Sequence, residues 1–332
     1  MCESYRGMET NPRISPRLTF LGYGSCFAAS CLWGTGFYFS RLALNEMSVN
    51  YMVLYRILFA CLGVLPVALV SRVRFSAAEW RTLLLSAAFG IPISCLLQFG
   101  GLALTTVSHA SLMVGAMPVM LAVAAALFAP KGSTEERLGW LGWLALFAST
   151  TGAALISLGG HHGGVTRGQP SLAGDLLVLV SLVAALAWIL LSKKLMLAHS
   201  PSAVSAYTIL VGAAMLLPWV MGSWIISPLT HAHIAPPPFF HVSWTAWGAL
   251  AFAGLLCTAT TTLLWNWGIH HVPASRAGVF LNIEPMLGSF LGVQLLGEHL
   301  GSYAWIGGGL ILSAALTLTT QSHPPEPNIL LE

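Results

Sequence analysis

Residues 96–118, LLQFGGLALTTVSHASLMVGAMP, lie over residues 263–285, LLWNWGIHHVPASRAGVFLNIEP, without a gap when the chain is slid by 167 positions. Leu96, Leu97, Gly101, Ser108, Ala110 and Pro118 meet Leu263, Leu264, Gly268, Ser275, Ala277 and Pro285. A leucine-rich chain yields some matches by chance, so the weight falls on the unbroken register through Ser-x-Ala to the proline. At an offset of 152, Tyr55, Ile57, Leu58, Leu65 and Pro66 meet Tyr207, Ile209, Leu210, Leu217 and Pro218. Two copies of one ancestral unit is the economical reading.

The sequence around this register is apolar almost throughout. Of 332 residues, 56% are hydrophobic and 8% charged. A soluble globule must cover much of its surface with polar side chains, so lipid has to be the solvent for the rest. About 20 apolar residues at a rise of 1.5 Å cross the hydrocarbon layer. Ten segments qualify: 18–40, 49–70, 80–104, 108–129, 138–158, 174–194, 202–222, 244–267, 273–296 and 302–321. Arg72-Val73-Arg74, Lys131-Gly132-Ser133, the glycine-rich 159–168, Lys193-Lys194 and Pro236-Pro237-Pro238 punctuate them. Arg13 and Arg17 precede the first segment as a signal peptide's basic region would, but the segment is too long for a signal core, and more spans follow. Ala28-Ala29-Ser30-Cys31 lacks the branched residue of a lipoprotein cleavage site.

Orientation follows from charge. With the N-terminus cytoplasmic, Arg6, Arg13, Arg17, Arg72, Arg74, Arg81, Lys131, Arg137, Lys193, Lys194 and Arg276 all fall inside, eleven of the 14 Lys and Arg. Arg41 and Arg167 fall outside and Arg56 lies within a span. Cytoplasmic loops are enriched in Lys and Arg, so both termini are expected in the cytoplasm. Charge also reverses between matched positions: His109, outside, meets Arg276, inside, and Lys131, inside, meets Glu298, outside. The expected fold is thus an all-α integral membrane protein of ten transmembrane helices in two inverted five-helix repeats. The repeats are 18–158 and 174–321, joined by a Gly/His-containing connector at 159–173 and flanked by tails at 1–17 and 322–332. Inverted repeats typify secondary transporters, whose substrate sites lie near the bilayer midplane.

A charge within a span is costly and must face protein or water rather than lipid. Arg56 lies about seven residues into the second span, and Glu284 near the middle of the ninth. Both are candidates for substrate binding, Glu284 also for proton exchange; the alternative is that they hold helices together. Asn282 adds a donor and acceptor nearby. Pro118 and Pro285, at matched positions, are candidate helix kinks that free a backbone carbonyl. Trp33 and Trp188 fall deep enough to line a cavity, whereas Trp265 and Trp267 fit an interfacial belt. Gly288 and Gly292 form GxxxG, a close-packing motif and a potential dimer face.

Other chemistries find little footing in the sequence. The six cysteines show no CxxC spacing; His161-His162 and His231-Ala232-His233 lack acidic or thiol partners nearby, so no metal or cofactor is expected. The basic residues form no stripe for nucleic acid. A polytopic membrane enzyme would need a reactive motif, yet HExxH, GxSxG and Walker signatures are missing and aspartate occurs once, at Asp175. A non-transporting scaffold would not need matched prolines beside buried charge.

The ordered set of Leu32-Trp33-Gly34, Tyr55-Arg56, Ser-x-Ala with Pro118, Gly174-Asp175 with Trp188, Glu284-Pro285, and Leu296-Gly297-Glu298 with Gly307 resembles the drug/metabolite transporter superfamily, in its branch with two EamA domains. Lys131 departs from it, standing where the first repeat usually has a glutamate. The resemblance implies a ten-helix permease with a central cavity, exporting amino acids, related metabolites or drugs across the plasma membrane, which in a bacterium is the inner membrane. Proton coupling and facilitated export are both compatible with these residues, as are a monomer and a homodimer.

Overall fold

The computed structural model describes residues 16–71, 73–128, 140–159, 170–226, 242–272 and 278–320, and every regular element among them is helical. Residues 1–15 and 321–332, and likewise Lys131, His161, His162, His231, His233 and Arg276, lie outside the described residues. The helices are α1 (Pro16–Leu44), α2 (Val49–Ser71), α3 (Ala77–Leu104), α4 (Val107–Val114), α5 (Met117–Phe128) and α6 (Trp140–Gly159). They continue as α7 (Leu172–Leu195), α8 (Pro201–Ile226), α9 (Trp244–Gly254 extended to His271), α10 (Ile283–Leu296) and α11 (Ser302–Thr320). Five helical stretches are long and apolar enough to cross a membrane: Val49–Ser71, Ala77–Leu104, Leu172–Leu195, Pro201–Gly222 and Trp244–Ile269.

Local sequence explains where helices begin and end. Ser76 and Glu79 form a capping box at the start of α3, while Thr106, Ser171 and Ser243 cap α4, α7 and α9 by accepting from the backbone N–H three residues on. Gly297 ends α10 in the left-handed conformation, φ 65°, which glycine adopts without steric cost. The helix surfaces then divide into two stripes. On α7, Leu176, Val180 and Val183 are exposed, whereas Val178, Ser181, Leu182 and Ser192 are buried. On α10, Met286 and Phe290 are exposed, whereas Pro285, Gly288 and Gly292 are buried. An apolar stripe left exposed in this way is what lipid would cover.

The segment expected as one helix over 108–129 is two. α4 stops at Gly115-Ala116, and α5 starts afresh at Met117. In the other half a 3₁₀ stretch, Gly278–Asn282, gives way to α10 at Ile283, at the matched position. Pro118 and Pro285 therefore sit in the first turn of a helix, not mid-helix as expected. There the missing N–H costs no hydrogen bond, so the prolines start new helices after a break and do not kink continuous ones. Glu284 accordingly lies in the first turn of α10.

α3 and α9 each contain a π-helical stretch, at Phe89–Ile93 and Leu255–Thr260, again 167 positions apart within one residue. Helices pair as α1 with α9, α3 with α7, α2 with α8, α4 with α10, and α6 with α11. The α6–α11 crossing is tight: a Cβ on Gly152 would meet the Gly307 carbonyl oxygen at 2.5 Å, and the reverse holds.

Candidate functional site

Arg56 occupies the third turn of α2, 8% exposed. Its Nε donates to Thr258 Oγ1 at 3.0 Å, its Nη1 donates to Ser40 Oγ at 2.7 Å, and its guanidinium lies 4.5 Å above the centroid of Phe99. Both hydroxyls spend their own hydrogens elsewhere, Thr258 on Ala253 O at 2.9 Å and Ser40 on Gly36 O at 2.7 Å, and so present only lone pairs to the arginine. The π stretch of α9 carries Thr258, and such stretches often mark functional positions. The Nη2 hydrogens find no acceptor among the described residues, and Gly36 lies close beside them, since an added Cβ would stand 3.6 Å from Nη2 and 3.4 Å from Cys257 Cβ.

Glu284 lies on the inward stripe of α10, opposite Met286 and Phe290. It is half-buried, and its carboxylate has no hydrogen-bond partner among the described residues. Gly34 of α1 makes room for this turn, since a Cβ there would stand 3.3 Å from Glu284 Cα and 2.9 Å from Leu287 Cβ. Arg56 and Glu284 interact electrostatically, but no ion pair within 4.0 Å joins them. An arginine fork and a carboxylate thus face a shared interior with hydrogen-bonding capacity left over, a pair suited to binding a group of each charge.

The other expected residues surround this pair unevenly. Asn282, buried, closes the 3₁₀ stretch two residues before Glu284. Trp33 lies on the inward stripe of α1 and packs on Trp265 with ring centroids 5.4 Å apart, so Trp265 takes part in the α1–α9 contact. Trp188, on the inward stripe of α7, lies against Gly90 of the α3 π stretch, whose added Cβ would meet its Cδ1 at 2.6 Å. Gly288 and Gly292 serve packing within the chain: their Cβ positions are filled by Ser111 and by Ser108 with Glu298, so GxxxG is not a free dimer face.

Sequence reasoning missed the partners that hold Arg56, because single serines and threonines in apolar helices carry no periodic signal. It also missed a polar cluster at one end of the bundle. There Arg41 donates through Nη2 to Leu102 O at 2.6 Å and to Thr105 O, Thr105 Oγ1 donates to Asp175 Oδ1 at 2.6 Å, and His109 Nδ1 lies 3.3 Å from Asp175 Oδ2. Glu298, turned back by Gly297, accepts from Val107 N at 2.7 Å, Ser108 N at 2.8 Å and Ser108 Oγ at 2.6 Å, capping α4.

Comparison with known proteins bears on this arrangement directly. The model of the EamA-like transporter family matches residues 20–158 and again 172–320. The chain belongs to the EamA-like transporter family. Among its relatives, an uncharacterized transporter of Archaeoglobus fulgidus is 22% identical over 300 residues, covering 88% of this chain and 95% of its own. The uncharacterized transporter YyaM of Bacillus subtilis is 23% identical over 258 residues, 78% of each chain. A solved crystal structure superposes with a TM-score of 0.59 over 92% of this chain and 97% of its own, at 18% identity, a likeness of fold. The protein is a multi-pass membrane transporter whose partners are a small-molecule substrate and lipid.

Proposed function

We propose that this EamA-like protein is a secondary transporter of ten spans in two inverted halves, 18–158 and 174–321, that exports amino acids or related small metabolites by alternating access. Its site is built on Arg56 and Glu284. The observation that carries this reading is an arginine whose Nη2 is unspent and a carboxylate with no hydrogen-bond partner among the described residues, both on inward helix stripes, where an idle charge is costly. A substrate carboxylate would bond Arg56 Nη2 and a substrate ammonium would pair with Glu284. Glu284 is also the group placed to exchange a proton with the driving gradient.

Matched contacts support the two halves. Gly22 packs on Gly268 and His271, and Gly174 packs on Gly101 and Leu104. Gly22 and Gly174 are 152 apart; Gly268 and Gly101, like His271 and Leu104, are 167 apart. Cys26 against Gly268 and Val178 against Gly101 repeat the same relation. Inversion is supported by the two connections that the 152 offset matches. Glu46 follows α1 and binds Ser243, His199 follows α7 and binds Glu79, and α2 runs its 23 residues from the first of these ends to the second. The Lys and Arg bias of the sequence supports a plasma-membrane protein with both termini in the cytoplasm.

The test is uptake into proteoliposomes with a proton gradient of either sign. Wild type should accumulate amino acid, Arg56→Leu should lose affinity, and Glu284→Gln should lose dependence on the gradient. Glu284→Gln with rate and pH profile unchanged would sink the coupling role, and Arg56→Leu with intact affinity would return Arg56 to helix packing.

A further inference from the structure

Ionisable groups buried in a membrane protein are costly, and a histidine and an aspartate at the Arg41 end are buried without serving the Arg56–Glu284 site. His109, in the first turn of α4, is 2% exposed, and Asp175, in the first turn of α7, is 0% exposed. Asp175 Oδ1 accepts from Thr105 Oγ1 at 2.6 Å, and Oδ2 lies 3.3 Å from His109 Nδ1. A hydroxyl and an imidazole are thus the side-chain partners that this carboxylate has among the described residues. An ionised carboxylate only accepts, so Nδ1 turns its hydrogen toward Asp175. The basic atom of the ring is then Nε2, to which no described group donates.

The charged groups around the pair come from two directions. α1 brings Arg41, whose Nη2 donates to the Leu102 and Thr105 carbonyls. The α10–α11 connection brings Glu298, which accepts from the N–H groups of Val107 and Ser108, the two residues before His109, with exposed His299 beside it. α10 itself carries Glu284, but Gly292 is the residue that stands against Ser108, and Glu284 lies more than two turns farther along. Glu79 and Arg81 of α3 and Lys193 and Lys194 of α7 belong to the opposite end, Cys95 of α3 lies by Arg56, and Tyr303 of α11 is exposed. α5 and α6 contain no charged residue. Two carboxylates and one guanidinium are therefore gathered here, and the partial charge of the α4 N-terminus offsets Glu298 only in part. A proton on the His109–Asp175 pair makes up the difference.

We infer, building on the alternating access proposed above and on none of its site residues, that His109 and Asp175 form a second proton site, which holds a proton while this end is closed and releases it when the end opens. The proton belongs to the pair, since imidazolium with carboxylate and imidazole with carboxylic acid are two placings of it. While the end is closed, α4 and α7 keep water from the pair, and the charge of Asp175 is met by the imidazolium. Opening parts the two helices, water solvates the carboxylate in place of the imidazolium, and the proton leaves Nε2 for water on that side. The closed form thus binds one proton more than the open form, so acid holds this end closed and a rise in pH on that side favours opening. Histidine is the side chain suited to such a change between pH 5 and 8. The Glu79–His199 pair at the other end is partly exposed already, and opening changes its surroundings far less.

Amide hydrogen exchange of the full-length protein in nanodiscs, read by mass spectrometry at about pH 6 and pH 8 and corrected for the intrinsic pH dependence of exchange, tests the pair. In wild type the peptide covering 105–114 should exchange about tenfold faster at the higher pH, the effect of one linked proton over about one pH unit, while the α6–α11 crossing stays within about twofold. His109→Gln keeps an amide donor but takes up no proton, and Asp175→Asn removes the charge that the proton answers. Each should flatten the dependence, whereas His199→Gln should keep it, and where one of the first two variants fails to fold the other decides. A wild type without pH dependence at 105–114, or a folded His109→Gln or Asp175→Asn that retains it, overturns the second proton site. Loss of the dependence in His199→Gln assigns it to the opposite end and overturns the site equally. The transport assays of Arg56 and Glu284 variants read the centre of the bundle and this exchange reads its end, so either reading can fail alone.

Discussion

The two ends of the bundle are held shut by different chemistry. At the end that carries Arg41, Thr105 and Asp175, the cross-links are polar and ionisable groups removed from water: Arg41 is 7%, His109 2% and Asp175 0% exposed. These groups and Glu298 draw on α1, the α3–α4 connection, α4, α7 and the α10–α11 connection. At the opposite end the corresponding links among the described residues are a Glu79–His199 pair at 3.0 Å on partly exposed side chains and a Ser86–Ser192 hydroxyl contact at 2.9 Å. Removing one partner of a buried charged pair costs about 3–5 kcal/mol, whereas an exposed pair contributes about 0–1 kcal/mol. Among the described residues, the Glu79 end is therefore the more weakly cross-linked of the two.

The sharpest way to break this contrast is Asp175→Ala. It strands Thr105 and His109 and should lower stability by about 3–5 kcal/mol in a detergent melt; a shift no larger than that of His199→Ala would refute the contrast. Glu298→Gln comes next. It replaces a bidentate carboxylate cap by an amide with one acceptor and should cost about 1.5–3 kcal/mol, read from the same melts. Ser76→Ala removes the cap of α3 at the weaker end and should cost about 1 kcal/mol. The smallest effect is expected at Glu46, which accepts from Ser243 N and Oγ, each at 2.6 Å. Those bonds hold its carboxyl below the ordinary value of 4.5. A group lowered on folding stabilises above its unfolded value, and that contribution fades as pH falls through the folded one. Glu46→Gln should thus melt slightly below wild type at neutral pH and match it once the pH is well under 4.5.

Much of the fold was legible because membrane helices are written in hydropathy and length. The segments 80–104, 174–194 and 302–321 differ from α3, α7 and α11 by no more than three residues at either end. The breaks were hidden for a physical reason: Gly115-Ala116 and Asn282 interrupt the backbone without interrupting the apolar run, so hydropathy passes straight through them. Arg56 and Glu284 stood out as isolated charges in apolar surroundings. Arg41 and Asp175 did not, since a charge near a span end is ordinary, and only tertiary packing reveals that these two are buried. A hint lay in Gly174-Asp175, a lone aspartate at a helix start after a capping serine, but nothing in one sequence pairs it with Thr105 or His109.

The π stretches have a consequence for how such a chain came to be. Each holds one residue more than a plain α-helix would need, an insertion absorbed inside the helix and not pushed into a loop. Both copies carry theirs at the same place in the unit. If the halves descend from one gene segment, the spare residue is older than the doubling, and the bulge that now presents Thr258 to Arg56 was inherited ready-made and recruited on one side only.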